Sequence, residues 1–152
     1  MPELIELGAR LAAATLIGAT IGLNRDLHHK PTGLRTMALV ALGAALIVQA
    51  APADNVREID FNATSRIIQG VITGVGFLGA GVIMRRPSGE KVQGLTTAAS
   101  IWLTAGFGVL SGLGAWRELT VALGLAWIIL LFGGGVERWF HARFSGPADN
   151  DQ

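Results

Sequence analysis

Five apolar stretches, each about as long as a bilayer is thick, constrain this chain more than anything else in it. They run from Leu4 to Leu23, Leu34 to Ala51, Ile67 to Met84, Leu95 to Ala115 and Leu119 to Val136. A helix needs about 17–25 apolar residues to cross roughly 30 Å of hydrocarbon, and each stretch falls near that range. Charges inside them are confined to Glu6 and Arg10 near the start of the first and Arg35 at the very start of the second. No stretch alternates with a period of two, which argues against a β-barrel. In lipid every backbone N–H and C=O must be satisfied within the protein. The expected fold is therefore an all-α integral membrane protein, a bundle of about five transmembrane helices. Composition agrees: 51% of the 152 residues are hydrophobic and 15% are charged, against about 25% charged in soluble domains.

The acids Glu3 and Glu6 stand where a signal peptide carries basic residues, so the first stretch is expected to stay as a span. Residues 1–144 are expected to form one intramembrane domain, with 145–152 a disordered tail. Lys and Arg are distributed unevenly between the two sides. Arg25, Lys30, Arg35, Arg85, Arg86, Lys91, Arg138 and Arg143 fall on one side, and Arg10, Arg57, Arg66 and Arg117 on the other. The positive-inside rule then puts the N-terminus outside and the C-terminus in the cytoplasm. Trp116, Trp139 and Phe140 sit near span ends, as an aromatic belt requires, whereas Trp102 and Trp127 lie deeper and are expected to pack.

Sliding the chain along itself by 61 residues brings out a gapless internal repeat. Gly18-Ala19 falls on Gly79-Ala80, Arg25 on Arg86, Gly33-Leu34 on Gly94-Leu95, Thr36 on Thr97 and Ala44 on Ala105. Both basic loops lie on one side, so the repeat is parallel, about an axis along the membrane normal. Shared glycine-rich composition is the competing explanation.

The 21 glycines cluster in the third stretch, from Gly70 through Gly74 and Gly79 to Gly81. Each costs about 1 kcal/mol of helix propensity relative to alanine. Close helix packing through small-xxx-small pairs is one reading, and Gly18/Gly22 and Gly108/Gly112 repeat that spacing. A helix broken at Gly79-Ala80-Gly81, offering backbone groups to a ligand, is the other. The loop from Asn24 to Thr36 is the most polar one expected on the cytoplasmic side. Its Asp26 has Arg25, Arg35, Arg85 and Arg86 as candidate partners, and Gly33 makes a turn before Thr36. Anchoring by positive charge and a cluster that contacts a ligand or partner both remain open there. Thr97, Ser100 and Thr104 share one helix face, following Thr96. That stripe can line a polar path or bond backbone carbonyls between helices.

The chain has no cysteine and a formal net charge of +1, so neither a thiolate nor a nucleic-acid partner is expected. Adjacent His28 and His29 do not make a joint helical metal face. No nucleotide-binding loop, nucleophile elbow or His-Glu-x-x-His is present, and neither catalysis nor a cofactor is expected. The spans contain no mid-membrane carboxylate pair for ion coupling.

Three ordered motifs resemble the membrane domain of the MgtC/SapB family. They are Gly22-Leu-Asn-Arg25 with Lys30-Pro-Thr-Gly-Leu-Arg-Thr36, Gly74-Val-Gly-Phe-Leu-Gly-Ala-Gly-Val-Ile83, and Gly94-Leu-Thr-Thr-Ala-Ala-Ser-Ile-Trp-Leu103. The resemblance implies a bacterial inner-membrane protein related to virulence factors for intracellular survival and growth in low magnesium. It implies a regulator acting through membrane partners, including the F-type ATP synthase, rather than a proven carrier. A homo-oligomer through exposed glycine faces is a further expectation, and an ion or small-solute transporter is the alternative. This sequence departs from the family at Asn24, where Glu is common. At Thr96 the prototype has Asn while many relatives have Thr. The sequence is also expected to be a short member without the family's soluble C-terminal domain.

Overall fold

The structure is a computed structural model describing residues 2–50, 61–85 and 92–144. Its helices are α1 (Pro2–Leu27), α2 (Leu34–Gln49), α3 (Phe61–Val82), α4 (Leu95–Leu113) and α5 (Trp116–Phe144). A two-residue antiparallel ladder, Met84–Arg85 with Val92–Gln93, joins α3 to α4. Four helices are long and apolar enough to cross a membrane, and the 16-residue α2 is a shorter apolar one. The helix ends differ from the apolar limits read in the sequence. α1 continues to Leu27 and α3 begins at Phe61, because polar residues extend a helix as readily as apolar ones once it has left the hydrocarbon. The expected tail, 145–152, lies outside the described residues.

Residues 1–116 make one compact unit and 117–152 a second. In the second, α5 is a long apolar helix ending in an aromatic run, with Trp139 edge-on to Phe140 and Phe140 stacked on Phe144.

In the first unit α1 packs on α2 and α4, α2 also packs on α4, and α3 packs on α4 while touching α2 only lightly. α4 is the central helix, with 56% of its span buried, against 17% for α1 and 11% for α3. Met37, Ala44 and Val48 of α2 meet Val71 and Val75 of α3 and Ile101, Ala105 and Val109 of α4 in the main core. Large side chains such as Leu16, Leu39 and Phe77 point outward, the last 80% exposed. Such an apolar exterior suits hydrocarbon rather than water. Trp102, expected to pack, is half exposed and belongs to that exterior.

Glycine sets how closely these helices approach. A Cβ on Gly18 would stand 2.5 Å from the Met37 carbonyl oxygen, and one on Gly108 2.2 Å from that of Ala41. A Cβ on Gly22 would stand 2.5 Å from Leu34 Cα at the start of α2, and one on Gly112 2.9 Å from the Ala45 carbonyl oxygen. The repeat is visible here, for the Gly18–Met37 contact reappears 61 residues later, with Gly79 on Ala98. The third stretch behaves otherwise. Gly70, Gly74, Gly76 and Gly81 meet nothing within 4 Å. Close packing inside the chain is therefore the reason for Gly18, Gly22, Gly108 and Gly112, and for none of those four. α3 also runs unbroken through Gly79 and Gly81, so the alternative of a helix broken at Gly79-Ala80-Gly81 is not met.

Gly108→Ala drives a methyl into backbone and should destabilise the protein by about 1–3 kcal/mol, as overpacking does. Gly76→Ala enters open space and should be neutral or stabilising by up to about 1 kcal/mol. Unfolding of both variants in mild detergent checks the ranking, and equal midpoints would contradict it.

Candidate functional site

The last turn of α1 brings the polar residues together. The turn that ends α1 has two characteristic bonds. The Lys30 N–H donates to the Arg25 carbonyl and the His29 N–H to that of Asp26, with His29 in the left-handed region at φ 51°. This is the Schellman arrangement, and it folds the chain back over the helix end. The Asn24–Thr36 loop of the sequence thus becomes a short turn, with Asn24, Arg25 and Asp26 on α1 and Arg35 and Thr36 on α2.

The fold-back places the Pro31 carbonyl against the Arg25 side chain. Nε donates to it at 3.3 Å and Nη2 at 3.1 Å. Nη1 donates to the Ser100 hydroxyl at 3.1 Å, and Nη2 also donates to the Thr97 hydroxyl. Ser100 in turn donates to the Thr96 carbonyl at 2.7 Å. Four of the five guanidinium N–H groups are thereby satisfied by neutral oxygens. Arg25 is 4% exposed, and Thr97 and Ser100 are buried with it. Among the described residues the one ion pair is Arg10 with Glu6, at the opposite end of α1. The buried cation is therefore held by dipoles rather than by a carboxylate.

Asp26 forms no ion pair with Arg25 or Arg35, two of the partners considered for it. Its Oδ2 accepts the Leu34 N–H at 2.9 Å and so caps α2, whose N-cap residue, Gly33, offers no side chain. A Cβ on Gly33 would stand 1.7 Å from the Asp26 carboxylate, so the cap requires glycine there. Thr36, Arg35 and Thr96 are exposed, and Asn24 is half-buried. Thr104, on the same face of α4 as Thr97 and Ser100, donates to the Met37 sulfur at 3.5 Å. The hydroxyl stripe is thus a buried set of hydrogen bonds rather than the lining of an open path. Arg86 and the candidate pairing through Arg85 lie outside what the structure describes. Gly74 and Gly81 face open space, whereas Gly79 rests on Ala98.

Sequence reading missed two links. The join from Arg25 to Thr97 and Ser100 spans 72 and 75 residues. The repeat supplied a signal for it, because it placed an Arg and a Gly-Leu-x-Thr start in each half. At the other end, Arg10 donates to the Gly112 carbonyl at 3.0 Å and ties α1 to the end of α4. The sequence marked Arg10 only as an interfacial charge.

A set of apolar helices, glycine-packed and clipped by a buried arginine, defines a multi-pass membrane protein. The chain belongs to the MgtC family, whose profile matches residues 11–139. It is 48% identical over 120 residues to Protein SrpB of Synechococcus elongatus, covering 73% of this chain and 65% of that one. It is 45% identical over 112 residues to Protein MgtC of Salmonella typhimurium, covering 74% and 46%. Against Protein SapB of Bacillus subtilis it is 39% identical over 127 residues, covering 75% and 50%. The chain thus spans roughly half to two thirds of the length of these relatives. No solved structure matches it.

Thr97→Val removes one acceptor and leaves a buried guanidinium N–H unsatisfied, which should cost about 1–3 kcal/mol. Arg25→Lys should not restore the clip, because a point ammonium cannot span Pro31 and α4 as the planar fork does. Detergent unfolding checks both, and wild-type stability in either would contradict the arrangement. Gly33→Ala should be destabilising alone and nearly neutral on an Asp26→Ala background. A double-mutant cycle reads that coupling, and strict additivity would refute it.

Proposed function

We propose that this chain is a non-enzymatic regulator in the bacterial inner membrane that acts by binding another membrane protein. Its N-terminus lies outside and its C-terminus in the cytoplasm, following the excess of Lys and Arg on the Arg25 side. Kinship with Protein MgtC links the role to magnesium homeostasis or survival inside host cells.

One observation carries the reading. Gly70, Gly74, Phe77 and Gly81 fall on a single face of α3, at steps of four, three and four residues. The glycines on it meet nothing within 4 Å, and Phe77 is exposed. A face of small residues around one aromatic lets a partner helix come close and still bury a large ring. A copy of the same chain and the F-type ATP synthase are the partners to test first.

A transporter working at the repeat interface is the second reading, favoured by the internal repeat and the buried polar cluster. That cluster centres on a cation held by neutral groups, which repels a divalent cation at close range. The regulator reading is therefore the stronger.

Gly81→Leu should abolish co-purification of the partner from detergent-solubilised membranes. Gly76→Leu, about 140° round the helix, should leave it unchanged. Quantitative mass spectrometry of the captured ATP synthase subunits, and a differently tagged second copy of the chain, read the result. Unaltered capture by a folded Gly81→Leu variant contradicts the proposal. Reconstituted protein should move no magnesium, and flux that slows on Thr97→Val would establish the transporter instead.

A further inference from the structure

The two halves of the repeat are not packed alike. α1 lies on both α2 and α4, but its counterpart α3 lies on α4 and leaves α2 almost untouched. An open apolar groove of about 630 Å³ runs between α2 and α3 instead. Gly43, Gly70 and Gly74 line it where side chains would otherwise fill it, among Leu39, Ile47 and Leu78. Val71 and Val75, which also line it, are buried in the core beneath. We propose that this groove is a binding site for one acyl chain of an anionic phospholipid, with the headgroup at the Thr36 end. The proposal goes beyond the regulator reading and does not rest on it; the two share Gly70 and Gly74, and Gly43, which lies on the α2 wall alone, tells them apart.

Length selects the occupant. The lining runs from Thr36 to Ile47 on α2 and from Ile67 to Leu78 on α3. Eleven residues of helix rise about 17 Å. One leaflet is half of the roughly 30 Å hydrocarbon core, about 15 Å. The groove therefore matches the chain of a single lipid in length. A concave apolar channel also surrounds a chain with more atoms than a convex helix face does, so dispersion favours it over bulk lipid.

Charge selects the headgroup. Thr36 stands at one mouth of the groove, and the exposed Arg35 is in the same first turn of α2. Lys30 is exposed in the preceding turn. Among the described residues the acid at this end is Asp26, which caps Leu34. Basic clusters between membrane helices attract anionic headgroups, at about 1 kcal/mol per Lys or Arg near the surface.

The full chain, reconstituted in phosphatidylcholine vesicles with a little phosphatidylglycerol carrying a diazirine on its acyl chain, tests this directly. Irradiation and peptide mapping should place the label on 34–49 and 61–82 in preference to 117–144. Gly43→Leu fills the groove from a position where its Cβ meets nothing within 4 Å. It should cut groove labelling about tenfold, the equivalent of about 1.4 kcal/mol. Gly70→Leu fills it from the opposite wall and serves if the first variant does not fold. Arg35→Gln should keep the labelling but lose its preference for the phosphatidylglycerol probe over the same probe on phosphatidylcholine. Label spread evenly over all helices and insensitive to Gly43→Leu overturns the proposal. So does a disulfide between copies carrying Gly43→Cys, which would put a second chain in the groove. The chain has no native cysteine, so that cross-link is unambiguous.

Discussion

A guanidinium inside a membrane protein has to be satisfied by the protein, and the way Arg25 meets that demand organises this fold. A buried charge costs several kcal/mol unless it is hydrogen-bonded, and Arg25, 4% exposed, is packed away from solvent by the protein itself. Arg25 answers with the Pro31 carbonyl on one side and the Thr97 and Ser100 hydroxyls on the other. Those groups belong to the turn after α1 and to the start of α4. Satisfying one side chain therefore fixes three parts of the chain together. Arg10 performs the same office at the far end of α1 through the Gly112 carbonyl. Two arginines about four turns apart thus pin α1 to α4 between Arg10 and Arg25.

Such pins work only if the helices lie close enough for side chains to reach across, and glycine provides this. Apolar contact with lipid and apolar contact with another helix are nearly equivalent, so association in a bilayer rests on fit and on polar bonds. Gly18 and Gly22 let α2 settle on α1, and Gly108 and Gly112 let α4 settle on α2. The remaining open glycines on α3 have no such task inside the chain. Their cost in helix propensity is offset by whatever α3 meets outside, a partner on its Phe77 face or a lipid chain in the groove. Structural and functional glycine can thus be separated by asking what a methyl group would touch.

The helices were legible in the sequence because hydrocarbon thickness acts on every span alike. Their ends were less so, since Asn24–Leu27 and Phe61–Arg66 are too polar to register as membrane yet continue a helix without difficulty. Of the candidate site, Arg25, Thr97 and Ser100 were each visible, but their meeting was not. Hydropathy is a local quantity, and the bonds between them cross more than seventy residues. The repeat was the one long-range signal, and it pointed to the right elements. Glycine spacing misled in one place: Gly70 and Gly74 carry the same i, i+4 signature as Gly18 and Gly22 but pack on nothing within the chain. Asp26 was read as an ionic partner because charge invites pairing. Among the described residues its partner is a backbone N–H left open at the start of α2.

The most direct test of the central claim is proton exchange at the guanidinium Nε–H groups, followed by NMR on the full chain in lipid nanodiscs. The account predicts that the Arg25 Nε–H, shielded and donating to the Pro31 carbonyl, exchanges far more slowly than that of exposed Arg35. It also predicts that Ser100→Ala combined with Thr97→Val speeds that exchange. Exchange at Arg25 as fast as at Arg35 would show the guanidinium in water and contradict the account.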